Sequence, residues 1–234
     1  MNHNSHVLLS TGPLDGNLVN LAASHNIEIE VIEFIHTESI IPTKYKTLIS
    51  ELPARSRVIF TSVNAVTAVA SLFSKAPDWD IYCMENATFD LVKETFGEEH
   101  VLGTAANADG LAQKIIQDNN TGDLIFFCGN LRRDELPQEL KVNGIEIREV
   151  IVYETHLTPI SVMRAYDGII FYSPSGVESF FSMNTPVPAP LFFAIGNTTA
   201  RAIKQFSDAE IIIASRANKK VLIDEMIAHY NNSI

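Results

Sequence analysis

The chain has 234 residues, 46% of them hydrophobic and 19% charged, which is enough apolar material for one large globular domain or two smaller ones. Its 28 acidic and 17 basic residues give a formal charge of −11, which excludes the basic surface that general binding to nucleic acid or anionic membranes requires. Only Cys83 and Cys128 are present, both in apolar runs, so buried reduced thiols are expected rather than a disulfide framework. The N-terminus has no basic segment followed by an apolar core, and no apolar run approaches the ~18 residues of a membrane span. A cytoplasmic protein is expected.

Taken in chain order, 6–10 reads as a strand, and Thr11-Gly12-Pro13 turns into a helix carrying Leu18, Leu21 and Ala22 that ends near Asn26. Residues 27–35 alternate apolar and acidic side chains and predict one long, half-exposed strand. A short helix lies between Pro42 and Pro53. Strands are expected over 58–61, 80–84 and 101–102, each followed by a helix, at 64–73, 88–96 and 108–117. The last of these ends at Asn119-Asn120-Thr121-Gly122. Residues 124–128 form a strand and 136–142 a helix, and 145–155 give a second long alternating strand. Strands at 168–172, 191–195 and 210–214 then alternate with helices at 175–183, 198–206 and 219–230, and a proline-rich loop spans 184–190. Alternation of this kind predicts parallel sheets with helices on both faces.

The two halves repeat. At an offset of 111, Ser62 falls on Ser173 and Val66 on Val177, Asn86-Ala87-Thr88 falls on Asn197-Thr198-Thr199, and Ala106-Asn107 on Ala217-Asn218. A second offset, 118, places 27–29 on 145–147, Thr37 on Thr155, and 7–10 on 125–128. Separated blocks sharing an offset imply an internal duplication, with halves at about 6–116 and 124–228. The fold class is α/β, with two similar domains joined by a two-stranded linker.

In parallel sheets, ligands lie beyond the carboxyl ends of the strands, where the polar turns of this chain fall. Ser173-Pro174-Ser175-Gly176 has the form of a strand end entering a helix, with a capping hydroxyl and proline in the first turn. By itself that is only a cap. With Thr61-Ser62-Val63-Asn64, Asn86-Ala87-Thr88, Gly129-Asn130 and Gly196-Asn197-Thr198-Thr199, it makes a set of helix starts offering amides and hydroxyls to an anionic ligand. The candidate binding residues are Thr61, Ser62, Asn64, Asn86, Thr88, Gly129, Asn130, Ser173, Ser175, Gly176, Gly196, Thr198 and Thr199.

No P-loop, dinucleotide fingerprint or nucleophile elbow occurs, and no histidine spacing marks a metal site. Arg132 and Arg133 suit either an anionic ligand or a solvated helix start. Tyr153, in an alternating strand, is either a packing residue or a proton donor.

The segment 127–140, with Gly144-Ile145 and Val152-Tyr153-Glu154-Thr155, resembles the uroporphyrinogen-III synthase family, as do 60–66, 171–177 and 195–200. The resemblance spans nearly the whole chain. It implies a discontinuous domain of 1–30 and 158–234, a second domain of 40–142, and connecting strands at 31–39 and 143–157, with a cleft between the domains. It also implies closure of linear hydroxymethylbilane to uroporphyrinogen III with inversion of the last pyrrole ring, no cofactor and no metal, and a monomer acting on a small molecule. Tyr153 falls on the family's tyrosine of the Val-Tyr-x-Thr motif and is the implied acid. The polycarboxylate substrate would suit helix starts despite the acidic chain. Three positions depart from the family pattern: Glu85 stands where glycine is usual, Thr11-Gly12 where Thr-Arg is common, and Tyr172 where threonine is usual. A non-catalytic binder of a tetrapyrrole or other polycarboxylate is the alternative reading. A receiver-type or flavodoxin-like module lacks its acidic pocket or flavin loop here.

Overall fold

The computed structural model describes residues 5–118, 122–186 and 190–232. Residues 119–121, expected to close a helix, and 187–189 of the proline-rich loop lie outside the described residues. The chain forms two compact units, Met1–His36 with His156–Ile234, and Thr37–Thr155.

The first unit contains β1 (His6–Ser10), α1 (Gly16–Ala23), β2 (Ile27–Val31), β9 (Gly168–Phe171), α7 (Pro174–Phe181), β10 (Leu191–Ala194), α8 (Asn197–Ile203), β11 (Ile211–Ile213) and α9 (Lys219–Asn232). Its sheet runs β11-β10-β9-β1-β2, and every adjacent pair is parallel. The second unit contains α2 (Thr43–Ser50), β4 (Arg57–Phe60), α3 (Val63–Ala70), β5 (Asp80–Met84), α4 (Ala87–Phe96), β6 (Val101–Ala105), α5 (Ala108–Gln117), β7 (Leu124–Gly129) and α6 (Glu135–Val142). The chain passes between the units through β3 (Ile35–Glu38) and β8 (Ile147–Leu157). The second sheet runs β3-β8-β7-β4-β5-β6, with β8 through β6 parallel throughout.

Period-2 alternation sorts the strand residues between two cores in each unit. Val58, Phe60, Ile125 and Phe127 face Val66, Val69 and Val92 of α3 and α4, whereas Ile59, Phe126 and Cys128 face Leu111, Ile115 and Leu140 of α5 and α6. Leu8 and Ile170 likewise face α9, and Leu9, Ile169 and Phe171 face α7 and α8. Both sheets are thus covered on both faces, as their uninterrupted apolar strands require.

The ladders measure the duplication directly. Arg57 faces Leu124, and Gly168, 111 residues after Arg57, faces Leu8. Leu8 and Leu124 are therefore equivalents at an offset of 116, two residues short of the 118 read from sequence. The next pair does keep 118, since Leu8 faces Ile29 and Leu124 faces Ile147. A two-residue slip leaves each side chain on the same face, so alternation could not detect the error in β1.

The long strand expected at 27–35 is also corrected. It is split into β2 and β3 because Phe34 is fully buried and meets Phe180 at 5.3 Å between ring centroids, which turns the chain inward.

Candidate active site

The repeat places matching caps at the carboxyl ends of both sheets. Ser62 begins α3 and its Oγ accepts the amide of Ala65 at 3.2 Å, while Ser173 begins α7 and accepts that of Gly176 at 3.1 Å. Asn107 and Asn218 repeat the device at α5 and α9, accepting from Gly110 at 2.8 Å and from Val221 at 3.2 Å. Each capped amide is withdrawn from ligand binding, while neighbouring amides of the first turn remain outside the helical ladder.

One side chain in the second unit is held differently. Tyr153 lies half-buried on β8, beside a register shift at Cys128–Gly129 of β7. Ser62 Oγ donates to the Tyr153 hydroxyl at 3.1 Å. The serine therefore uses its hydrogen on the tyrosine and a lone pair on Ala65, which leaves the phenolic hydrogen of Tyr153 available to another acceptor. Burial raises the pKa of Tyr153, and the Ser62 hydrogen bond partly offsets this, so the phenol is protonated at neutral pH.

Two neighbours fix the ring. A Cβ at Gly129 would lie 2.5 Å from Cε2 and Cζ of Tyr153, so only glycine fits beneath it. The backbone amide of Asn130 donates to the Tyr153 carbonyl at 3.3 Å. The Asn130 side chain continues the ladder beyond the register shift, with Oδ1 accepting Thr155 N–H at 2.8 Å and Nδ2 donating to Thr155 O at 3.2 Å. Asn130, expected to bind ligand, is thereby engaged in holding β8.

The other expected residues of this unit lie on neighbouring turns. Thr61 and the exposed Asn64 flank the Ser62 cap, and Asn86 begins α4 without a side-chain cap bond. Thr88 and its equivalent Thr199 are buried, which encloses their side chains in the first turns of α4 and α8. Glu85 is exposed. Arg132 pairs with Glu149 and Asp134, and Arg133 with Glu135 at 3.4 Å, so both arginines answer the protein's own carboxylates.

The first unit contains a second serine–tyrosine pair that sequence reading did not find. Ser10 Oγ donates to Gly12 O at 2.8 Å and lies 2.9 Å from the Tyr172 hydroxyl. Because the Gly12 carbonyl can only accept, the hydrogen between Ser10 and Tyr172 is the tyrosine's. Tyr172, with its pKa pushed up to about 12 by burial, thus has its hydroxyl hydrogen engaged, whereas that of Tyr153 meets no acceptor among the described residues. Ser173 and Ser175 meet at 3.0 Å, and Gly176 packs beneath the Ser173 hydroxyl. Gly196 precedes α8 without a side-chain cap, and Thr198 lies half-buried in its first turn.

A cavity of about 610 Å³ lies at the opposite, amino ends of β4, β5, β7 and β8. There Arg55 pairs with Asp80 at 2.8 Å, and buried Arg57 donates to Gly122 O. The Ser62 turn and the Tyr153 phenol belong to the carboxyl ends of the second unit's sheet, and the candidate catalytic group is placed there.

The fold and these strand-end turns define a duplicated α/β protein with a tyrosine donor among helix starts. A family model for uroporphyrinogen-III synthase HemD matches residues 19–224, and the chain belongs to the uroporphyrinogen-III synthase family. It is 26% identical over 182 residues to the uroporphyrinogen-III synthase of Saccharomyces cerevisiae, covering 66% of this chain and 64% of the yeast protein's length. Among solved structures, a mutant uroporphyrinogen III synthase from the extremely thermophilic bacterium Thermus thermophilus superposes with a TM-score of 0.70 at 12% identity, over 98% of this chain and 100% of that one. The uroporphyrinogen-III synthetase of Helicobacter pylori does so with a TM-score of 0.63 at 14% identity, over 96% and 99%. Both share the α/β fold. Among the described residues no helix is long and apolar enough to cross a membrane.

Proposed function

We propose that the protein is a uroporphyrinogen-III synthase, a lyase of tetrapyrrole (heme) biosynthesis that closes hydroxymethylbilane with inversion of its last ring and loss of water. The observation that carries this reading, within the family the chain belongs to, is the phenolic hydrogen of Tyr153, which no acceptor among the described residues takes up. Ser62 donates to its oxygen, and Gly129 fixes its ring among helix starts.

The chemistry follows from that proton. Tyr153 gives it to the terminal hydroxyl of the substrate, which leaves as water and generates an electron-poor methylene-pyrrole. The substituted carbon of the last ring attacks this centre to form a spiro intermediate, which fragments and recloses with the ring reversed. The proton released as the final pyrrole regains aromaticity restores the phenol, so the tyrosine is unchanged after a turnover. The remaining task is to hold a flexible chain in the reactive pose, and amides and hydroxyls at strand ends suit its carboxylates without a basic surface. Thr61, Ser62, Asn64, Asn86, Ser173, Ser175, Gly196 and Thr198 are the groups assigned to this binding, whereas the amide of Gly176 is already given to Ser173 Oγ and is left out. The reading includes a monomer in the cytoplasm that acts without a cofactor.

Incubation with fresh hydroxymethylbilane, followed by oxidation and chromatographic separation of isomers, tests it. Without enzyme the substrate closes to isomer I. Isomer III in proportion to added protein is expected, and isomer I alone from folded protein would overturn the reading.

A further inference from the structure

The tyrosine whose hydrogen is engaged has another contact. Lys219, the first residue of α9, places its ammonium 4.8 Å from the centroid of the Tyr172 ring, and Nζ donates to Pro13 O at 2.5 Å. The ring is itself fixed, by the Ser10 hydrogen bond at one end and by Gly12 at the other, where a Cβ would stand 3.1 Å from Cδ2. The cation is thus set between an aromatic face and a carbonyl at the carboxyl ends of β1 and β9, beside the Ser173–Ser175 turn.

We propose that Lys219 is a substrate-positioning residue whose ammonium receives a carboxylate of the substrate, with the Tyr172 face as its platform. This rests on the functional reading above and extends it to a residue outside the motifs that suggested that reading.

Three observations favour a ligand over a purely structural tie. The ammonium has three hydrogens, and the carbonyl of Pro13 uses one. No carboxylate of the described residues lies within ion-pair distance of it, although Lys93 and Lys220 are each paired with an acid. Burial lowers the pKa of Lys219, with only partial compensation from Glu33, so the fold holds a cation where its charge is under-compensated. A carboxylate of the ligand would take up the remaining hydrogens as charge-assisted bonds.

The test compares Lys219→Met, which keeps an apolar stem against Tyr172, with Lys219→Arg, which keeps the charge, and with Tyr172→Leu, which removes the platform. In the isomer III assay, Lys219→Met is expected to raise KM about tenfold with kcat within about twofold. Its KM should also depend less on salt, Lys219→Arg should recover most of the affinity, and Tyr172→Leu should reproduce the KM increase. Binding of uroporphyrin III, followed by tryptophan fluorescence or calorimetry, supplies a readout independent of turnover. If the wild type makes no isomer III, the functional reading fails while the porphyrin titration still decides the role of Lys219. Unchanged KM and unchanged porphyrin affinity in Lys219→Met would overturn the proposal. So would a lowered melting temperature with both affinities intact, which would make Lys219 a structural tie.

Discussion

The phenol ring of Tyr153 occupies the space into which any side chain at position 129 would project. A Cβ on Gly129 would stand 2.5 Å from Cε2 and Cζ and 2.9 Å from the hydroxyl oxygen. Such contacts cannot persist, and the backbone on both sides is pinned in parallel strands. The Gly129→Ala variant therefore displaces the ring and takes the hydroxyl out of reach of Ser62. We expect it to lose about 1–3 kcal/mol of stability through overpacking and most of its turnover. Urea titration beside isomer III kinetics checks both. Full activity in this variant would mean that the position of the ring does not matter.

The hydroxyl itself is tested by Tyr153→Phe, which keeps the ring over Gly129. Loss of a positioned acid costs roughly 10²–10⁴-fold in rate, so kcat should fall by about 10² or more, with KM little changed. Tyr166→Phe is a control. That hydroxyl donates to Glu30 at 2.8 Å and has no part in the proposed site, so its kcat should match the wild type. Equal rates for the two variants would remove Tyr153 from the mechanism.

Ser62 connects this chemistry to pH. Its hydrogen bond to the Tyr153 oxygen favours the phenolate, opposing the larger effect of burial, which raises the pKa. Removing the bond in Ser62→Ala should raise that pKa further. Activity that requires the protonated phenol is lost as pH rises through the pKa, so the alkaline limb of kcat should move to higher pH in Ser62→Ala. The same change deletes the cap on Ala65 and should cost about 1 kcal/mol of stability. A limb that stays in place or moves down would contradict the assigned direction of the hydrogen bond.

The sequence exposed some of this arrangement and concealed the rest for definite reasons. The parallel strands were legible because they are uninterrupted apolar runs between capped helices. The duplication was legible because Ser62 and Ser173, and Asn107 and Asn218, make the same capping bonds at one offset. The register of β1 was not, since a slip of two preserves the faces. The break after Val31 was hidden because Phe34 fits an alternating pattern and its burial depends on Phe180, far along the chain. Tyr153 was visible as a candidate, but its bond to Ser62 spans 91 residues and no local pattern encodes it. Asn130 looked like a ligand donor because nothing in sequence shows an amide bonded to Thr155. Lys219 stands outside every motif, and only the packing of Tyr172 against Gly12 reveals it.

Backbone geometry at Asn86 gives a prediction for stability alone. Asn86 has φ of 62° and ψ of −131°, a region suited to glycine, and its side chain makes no cap bond to α4. Strain of this kind costs of the order of 1–3 kcal/mol, offset for glycine by the added freedom of the unfolded chain, ~0.4–1 kcal/mol. Asn86→Gly should therefore raise the urea midpoint modestly and Asn86→Ala should lower it, because asparagine tolerates positive φ better than alanine does. A glycine variant less stable than the wild type would show that the asparagine side chain stabilises the turn in some other way.

The buried thiols set the alkaline limit of the fold. Cys83 and Cys128 are essentially enclosed, and burial pushes their pKa values up to about 12 and about 11 from the ordinary thiol value of 9.0. Burial likewise pushes Tyr172 up to about 12 from 10.0. In each case the folded state holds its proton more tightly than the unfolded chain does. The associated stability is complete below the unfolded pKa and is lost as pH rises through the folded one. Urea midpoints should thus fall from about pH 9 upward, steepening above about 10 as tyrosine joins the thiols. The double variant Cys83→Ala, Cys128→Ala should lose the decline between about pH 9 and 10 and show a shallower one above it, set by tyrosine. A midpoint that stays level from about pH 8 to 10.5 in the wild type would mean that the thiols ionise as readily folded as unfolded, which enclosure in these two cores does not allow.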